Sequence, residues 1–188
     1  LVQELVALAR ARPGRLTYGS SGAGSSGHLG GALLESMAGI RMIHVPYKGG
    51  GPLVIDLLAG QIDLMLSGIG PVQQHARLGK ARIIAVTGAK RLASWPEVQA
   101  VAEAGYPGYE ALTWFGIVVP TGTPRALVER LSADIVRAGR SAEIAERMQT
   151  HGYEAFTHTP DDFAKFMAAE AARVQRSEEH TSELQSLA

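Results

Sequence analysis

The sequence contains no cysteine, no block of like charge and no long apolar run. Without cysteine it can form neither a disulfide nor a thiolate metal site, an absence that is compatible with any cellular compartment. Its 18 basic and 18 acidic residues cancel, which argues against nucleic acid or an acidic membrane surface as a partner. No apolar run reaches the about 18 residues of a membrane span. At 188 residues, the chain is nevertheless long enough to bury a core within one or two domains.

The sequence also lacks an initiating methionine and a recognisable signal peptide. Leu1 begins directly in a helical pattern, in which Leu5 and Leu8 recur at helix spacing until Arg12-Pro-Gly14 ends it. We therefore expect that an N-terminal part of the protein precedes Leu1.

A glycine- and serine-rich stretch, Leu16–Leu29, is the most informative part of the sequence. It opens with a short β-like run, Leu16–Tyr18, and it leads into an apolar-periodic segment, Leu29–Met37, which predicts a helix. Glycines let a backbone approach a ligand closely, serines offer hydroxyls and N-caps, and the free N–H groups of a helix start attract an anion. The stretch predicts an anion site or, alternatively, a connection of small residues that binds nothing.

Part of this stretch, Gly22-x-Gly24-x-x-Gly27, also matches the dinucleotide-binding fingerprint. That fingerprint requires an acidic residue about 20 positions further on, to hold the ribose. Here the corresponding segment is His44-Val-Pro-Tyr-Lys48, which has no carboxylate. A P-loop requires Gly-Lys followed by Ser or Thr, whereas Gly79-Lys80 is followed by Ala81. Both nucleotide interpretations are therefore disfavoured.

The first half of the chain alternates short apolar strands with helical segments joined by a few residues. This rhythm predicts an α/β fold with a mostly parallel sheet flanked by helices. After residue 110 we expect a strand followed by helices, with Thr123 as an N-cap. The predicted strands are 16–18, 41–45, 62–66, 81–86, 114–119 and 153–157, and the predicted helices are 1–11, 29–37, 53–58, 71–78, 124–137, 142–150 and 160–174.

Several consecutive segments, in order and at the family's spacings, are similar to the periplasmic solute receptors of tripartite tricarboxylate transporters, often called Bug-type binding proteins. The resemblance extends from Leu1 to about Gln175. The segments that carry it include Tyr18-Gly-Ser-x-Gly-x-Gly-Ser-Ser-x-His-Leu29, His44-Val-Pro-Tyr-Lys-Gly-x-Gly-Pro52, Asp56-Leu-Leu-x-Gly-Gln61, Glu103-Ala-Gly-Tyr-Pro-Gly-Tyr109, Trp114-Phe-Gly116 and Pro120-x-Gly-Thr-Pro124.

The resemblance implies a two-lobed fold of the periplasmic binding protein type II class. On that map, residues 1–110 form the second lobe, and residues 111–175 return to complete the first lobe, most of which would precede Leu1. Residues 176–188 lose the apolar spacing of the preceding helix and resemble a sequencing-library adapter read as coding sequence. We therefore interpret them as a non-native tail, the alternative being an ordinary frayed terminus.

The resemblance also implies a function and a site. Such a receptor is periplasmic, binds a small-molecule carboxylate and delivers it to the membrane subunits of a tripartite transporter. We expect a monomer, no catalysis, and no nucleic acid partner. The ligand-binding residues, carried over by position, are Ser20, Ser21, Gly22, Gly24, Ser25, Ser26 and Ser67.

Two positions depart from the pattern of the family. Ala23 stands where relatives often carry Asn, which removes a possible side-chain partner for the ligand. Ser67 stands where many relatives have Asp. A carboxylate there would suit an ammonium group, so Ser67 argues against an amino-acid ligand. Alternatively, Ser67 only caps the next helix.

Histidine is the remaining residue type with chemical potential. His28 lies near the glycine-rich stretch and is interpreted as structural, whereas His44, Tyr47 and Lys48 end a strand where a binding edge is expected. The six histidines are scattered without paired ligand spacing, so we predict no metal and no cofactor.

Two other classes of function were weighed against the receptor. A serine hydrolase using a loop serine lacks the Gly-x-Ser-x-Gly elbow, because none of the loop serines has that frame. A cytoplasmic effector-binding regulatory domain of the same fold would need an attached DNA-binding segment, and fold alone cannot separate it from a receptor.

Overall fold

The computed structural model of the chain describes residues 1–153 and 158–172. These residues fall into two compact units, one formed by residues 1–113 and one that begins at residue 114. The elements of the first unit are α1 (Val2–Ala11), β1 (Thr17–Ser20), α2 (Ser26–Ala38), β2 (Ile43–Pro46), α3 (Gly50–Leu58), β3 (Leu64–Met65), α4 (Gln73–Arg77) and a 3₁₀ helix (Ala102–Ala104). Those of the second are α5 (Arg125–Gly139), α6 (Ala142–Thr150) and α7, which spans residues 160–172.

The first unit is built on a three-stranded parallel sheet with the strand order β2-β1-β3. Tyr18 of the central strand lies opposite His44 on one side and Leu64 on the other. This arrangement confirms the predicted α/β fold with a parallel sheet flanked by helices. Because the three strands run in the same direction, their carboxyl ends meet at one edge of the sheet.

Helix α2 packs very closely against the sheet because three of its buried positions are glycine. A β-carbon at Gly31 would overlap the ring of Tyr18, which is only 1% exposed. A β-carbon at Gly30 would lie 2.8 Å from the side chain of Ala111. The buried hydroxyl of Tyr109 donates to the carbonyl oxygen of Gly30 at 3.0 Å. Glycine in a helix interior costs about 0.5–1 kcal/mol relative to alanine, and here it permits this close approach.

Two predicted boundaries move toward the N-terminus. Helix α2 begins at Ser26 and not at Leu29, because the hydroxyl of Ser25 accepts the amide of His28 at 3.3 Å and caps the helix. Helix α3 begins at Gly50, so part of the glycine run that was assigned to a loop is helical.

The predicted strand over residues 81–86 is wrong. The segment has no ladder, and its last residue, Val86, forms a single parallel bridge with Ala100. Strand β3 is only two residues long, so it offers little edge for a further strand to pair with. Val86 instead packs with Val98 and Ala100 in a small separate apolar cluster.

The predicted strand over residues 114–119 is wrong as well for the described part of the chain, which provides no neighbouring strand to pair with it. Its apolar side chains are largely exposed, among them Phe115 at 76% and Val118 at 75%. Thr123 does not cap α5. Its hydroxyl donates to the carbonyl of Pro120 at 2.8 Å and closes a turn, and Pro124 occupies the N-cap position without a side-chain bond.

The second unit holds together through aromatic contacts. The ring of Trp114 meets those of Phe163 and Phe166 edge to face, with centroids 5.8 and 5.4 Å away. Neither α5 nor α6 has a buried residue. Residues 154–157 of the predicted strand 153–157, and the predicted tail 176–188, lie outside the described residues. Within the described ranges, no helix has the length and apolar character needed to cross a membrane.

Candidate functional site

Three loops meet at the carboxyl edge of the sheet, and we call them together the edge site: residues 20–28, 47–49 and 66–68. They are joined through backbone hydrogen bonds. The amide of Tyr47 donates to the carbonyl of Ser20 at 3.0 Å, and the amide of Gly49 donates to the carbonyl of Ser21 at 3.3 Å. The amide of Leu66 donates to the carbonyl of Gly19 at 2.9 Å. The three loops therefore form one continuous surface.

The first loop of the edge site turns through two glycines in conformations that other residues adopt rarely. Gly22 has a φ of 146° and Gly24 has a φ of 76°. Between them, the carbonyl of Gly22 accepts the amide of Ser25 at 3.2 Å, which closes the turn just before α2 begins. The turn therefore depends on glycine at these two positions, because it requires positive φ angles.

The N-terminus of α2 is seated directly on the third loop. A β-carbon at Gly27 would overlap the carbonyl oxygen of Leu66, so only glycine allows the contact. The amides of Ser26 and Gly27 lie in the first helical turn, where N–H groups have no intrahelical partner. These amides and the positive end of the helix dipole favour an anion at this edge.

A second helix begins at the same edge. Gly49 is the N-cap residue of α3, and the exposed Lys48 precedes it. Tyr47 is held by its hydroxyl, which donates to the carboxylate of Asp56 at 2.8 Å. The edge site therefore combines two helix starts and a lysine, all of which contribute positive potential.

The predicted serines differ in what their hydroxyls contact. Ser20 is fully buried, and its hydroxyl oxygen lies 2.9 Å from the carbonyl of Gly22 and 2.7 Å from Nε2 of His44. Ser25 caps α2, and the hydroxyl of Ser26 bonds to that of Thr113 at 2.5 Å. These three hydroxyls are engaged within the protein.

Ser21 and Ser67 are different, because within the residues that the structure describes no hydrogen bond engages either hydroxyl. Ser21 is exposed and Ser67 is half-buried in the loop after β3. Ser67 does not cap the following helix, since α4 has Val72 as its N-cap residue and no side-chain cap. The interpretation of Ser67 as a helix cap was therefore wrong.

Two histidines lie under the first loop, and their pairing was not predicted. The rings of His28 and His44 stack with centroids 4.1 Å apart, and Nδ1 of His28 accepts the amide of Gly24 at 3.1 Å. Burial, and then the neighbouring His28, lower the pKa of His44. One signal could have indicated that His44 lies near Ser20. His44 is on a predicted strand, and in a parallel pairing with β1 it lies opposite Tyr18, which is two residues before Ser20.

The edge site contains neither a metal cluster nor a catalytic triad in the described part of the chain. Three or more His, Asp or Glu side chains do not come together there in a way that could hold a metal ion. No carboxylate is hydrogen-bonded to His28 or His44 in the described residues. What the arrangement offers chemically is a set of neutral donors around helix starts.

Comparison with known proteins identifies relatives along the whole chain. A family model described as "Tripartite tricarboxylate transporter family receptor" matches residues 1–181. A UPF0065 protein of Pseudomonas sp. strain P51, from the tcbD-tcbE intergenic region, is 38% identical over 93% of this chain and 52% of its own length. Protein BugT of Bordetella pertussis is 33% identical over 90% of this chain and 52% of its own length.

Solved structures show the same similarity. The structure of R. palustris Rpa4515 with adipate has a TM-score of 0.90 and 34% identity, covering 96% of this chain and 60% of that one. MatC from Rhodopseudomonas palustris with bound malate has a TM-score of 0.74 at 24% identity, covering 96% of this chain and 61% of its own, and shows a shared fold. The chain thus spans about half the length of the curated relatives that it matches.

Proposed function

Because this chain belongs to the tripartite tricarboxylate transporter receptor family, we propose that it is part of a periplasmic receptor that captures a small organic carboxylate. The receptor would deliver this ligand to the membrane subunits of a tripartite importer. One observation carries the proposal: the first turn of α2, where N–H groups lack an intrahelical partner, lies at the edge where parallel sheets bind ligands. The adipate bound by Rpa4515, 34% identical to this chain, supports a carboxylate as the ligand.

The ligand would lie against the first loop of the edge site. The exposed backbone at Ser21, together with the start of α2, supplies its donors, and Ser67 lies in the third loop at the same edge. The amide of Gly24 is already bonded to Nδ1 of His28, so Gly24 contributes by shaping the loop and not as a donor. Ser20 contributes indirectly: its hydroxyl is bonded to Gly22 and His44 and so holds the loop in place. Hydrogen bonds to a charged group contribute about 1.5–3 kcal/mol each, so a few neutral donors suffice to hold a carboxylate. The ligand-binding residues that we propose remain Ser20, Ser21, Gly22, Gly24, Ser25, Ser26 and Ser67.

We further propose that residues 1–110 form one lobe of the receptor and that residues 111–175 complete the other. The length of the relatives supports a longer protein, since this chain covers 52% of BugT. The exposed apolar segment 114–119 also supports it, because Phe115, Ile117 and Val118 would be buried if a neighbouring sheet paired with them. In this proposal, residues 176–188 are a non-native tail.

The contact between Ser20 and His44 is the one feature that favours a serine hydrolase. Its geometry resembles a nucleophile and its base, with 2.7 Å between Ser20 Oγ and His44 Nε2. Ser20 is 0% exposed, however, so a substrate cannot reach its hydroxyl. In the part of the chain that the structure describes, no carboxylate is bonded to the ring of His44 to orient it. We therefore propose binding without catalysis.

Replacing Ser21 or Ser67 with alanine should weaken adipate binding without changing stability. Neither hydroxyl is hydrogen-bonded within residues 1–153 and 158–172. Loss of one donor to a charged ligand costs about 1–3 kcal/mol, or about fivefold to more than a hundredfold in the dissociation constant. Isothermal titration calorimetry measures the affinity. Ser94→Ala, at an exposed position outside the edge site, is the matched control. If both site variants bind adipate as the unaltered chain does, the ligand lies elsewhere.

A further inference from the structure

The two stacked histidines contact the first loop from below at two points. Nδ1 of His28 accepts the amide of Gly24 at 3.1 Å, and Nε2 of His44 bonds to the hydroxyl of Ser20 at 2.7 Å. Ser20 is fully buried. Gly24 and Ser20 are both in the loop to which the proposed function assigns the ligand, so the histidines hold the loop without needing to touch the ligand.

The hydrogen bonds define where the protons of this pair lie. Since Nδ1 of His28 accepts an N–H, it carries no proton, and the neutral ring has its proton on Nε2. The oxygen of Ser20 accepts the amide of Gly22 at 3.3 Å and donates to the carbonyl of Gly22 at 2.9 Å. Its single proton is then used, so Nε2 of His44 must be the donor. Both rings therefore carry their proton on Nε2.

The surroundings of the pair disfavour a positive charge. The ring of Tyr18 lies 4.9 Å from that of His44, and its hydroxyl points to the carbonyl of His28 at 3.5 Å. The other titratable groups packed near Tyr18 are Tyr109 and the Glu35 carboxylate, whose oxygen accepts the amide of Met42 at 2.6 Å. In the described residues, no carboxylate is bonded to either histidine ring that could stabilise its protonated form.

We propose that His28 and His44 are positioning residues that hold the ligand loop, and that His28 does so only while its ring is neutral, so that acid releases the loop and weakens carboxylate binding. Protonation of His28 at Nδ1 would break its hydrogen bond with Gly24, because two N–H groups would then face each other with no acceptor between them. A charged ring would also stack on its neighbour at 4.1 Å. The statement on ligand affinity rests on the proposed function, whereas the statement on the loop does not.

The proton positions are tested directly by NMR on the nitrogen-labelled chain. Long-range proton–nitrogen correlations should show the Nε2–H tautomer for His28 and for His44 at about pH 7.5, where an unperturbed histidine is neutral. As the solution is acidified, the amide signal of Gly24 should move together with the ring signals of His28. Two results would overturn the proposal whether or not a ligand binds. One is a proton on Nδ1 of neutral His28, and the other is a Gly24 amide signal that stays in place while the ring signals of His28 move.

Amide side chains test the same idea through affinity. His28→Asn places an acceptor near the position of Nδ1, and His44→Gln places a donor near that of Nε2, but neither can take up a proton. Adipate binding to the unaltered chain should weaken about threefold to tenfold between about pH 7.5 and 5.5, the equivalent of losing one hydrogen bond. The double variant should bind adipate with the same affinity at both pH values, whatever that affinity is relative to the unaltered chain.

The control variants are chosen to separate positioning from simple packing. His28→Leu and His44→Leu keep an apolar side chain but no hydrogen bond, so both should bind adipate about tenfold more weakly at either pH. His151→Asn, at an exposed position in the second unit, should behave as the unaltered chain. Tighter adipate binding in acid would show that the pair acts as a positive charge and would overturn the proposal. Absence of adipate binding at every pH would defeat the proposed function, and the NMR result would still decide on the pair.

Discussion

Replacing Gly27 with alanine should lower the free energy of unfolding of the chain by at least about 2 kcal/mol. The new β-carbon would overlap the carbonyl oxygen of Leu66, which belongs to the backbone and cannot rotate away as a side chain can. Relief of the overlap requires α2 to move off the third loop of the edge site. The amides of the first helical turn would move with it, so adipate affinity should fall in the same variant.

Gly51 provides the matched control for this substitution. It occupies the second position of α3, as Gly27 does in α2, but a β-carbon there would meet nothing within 4 Å. Gly51→Ala should therefore change the free energy of unfolding by no more than about 1 kcal/mol, because alanine favours a helix over glycine whereas Pro52 disfavours the helical conformation for a residue with a β-carbon before it. Urea denaturation followed by circular dichroism measures both variants. Equal stabilities would mean that the contact between α2 and the third loop is looser than it is here.

Joining the chain to the portion of Rpa4515 that it does not match should tighten adipate binding about a hundredfold, or roughly 2.7 kcal/mol. A second lobe would supply further donors and exclude water, and hydrogen bonds to an anion are stronger where water is excluded. Calorimetry on the chain and on the chimera measures the difference. This prediction tests the proposed division into lobes, for which the present chain supplies one set of loops.

Two outcomes of the chimera experiment would contradict the proposed lobes and site. Equal affinities of chain and chimera would place the whole site within residues 1–113. In the chimera, Gly22→Val should remove most of the gain, because Gly22 has a φ of 146° and a β-branched residue resists that conformation. A gain that survives this substitution would assign the ligand to another loop.

The sequence predicts the local conformation of the first loop well, because local chemistry decides it. Glycines at positions 22 and 24 do adopt positive φ, and Ser25 does cap a helix, because these features depend on a few neighbouring residues. The parallel sheet follows from the alternation of strands and helices over the first 66 residues. Such patterns need no knowledge of distant contacts.

Features that depend on distant partners were predicted poorly. Ser20 and His44 are 24 positions apart, and only the pairing of β1 with β2 brings the hydroxyl to the ring. Likewise, the apolar run 114–119 has the composition of a strand, but a strand exists only where another backbone pairs with it. Composition alone could not distinguish a segment with a neighbour from one without.

The glycines of α2 also bear on how this family could diversify. There is no room for a larger side chain at Gly27, Gly30 or Gly31. A substitution at any of them would therefore require the neighbouring structure to move. Ser21 and Ala23, by contrast, are exposed, and a side chain at Gly24 would meet nothing within 4 Å. Under the proposed function, substitutions on the outer turn of the loop could therefore change which carboxylate binds, while the close packing of α2 on the sheet is kept.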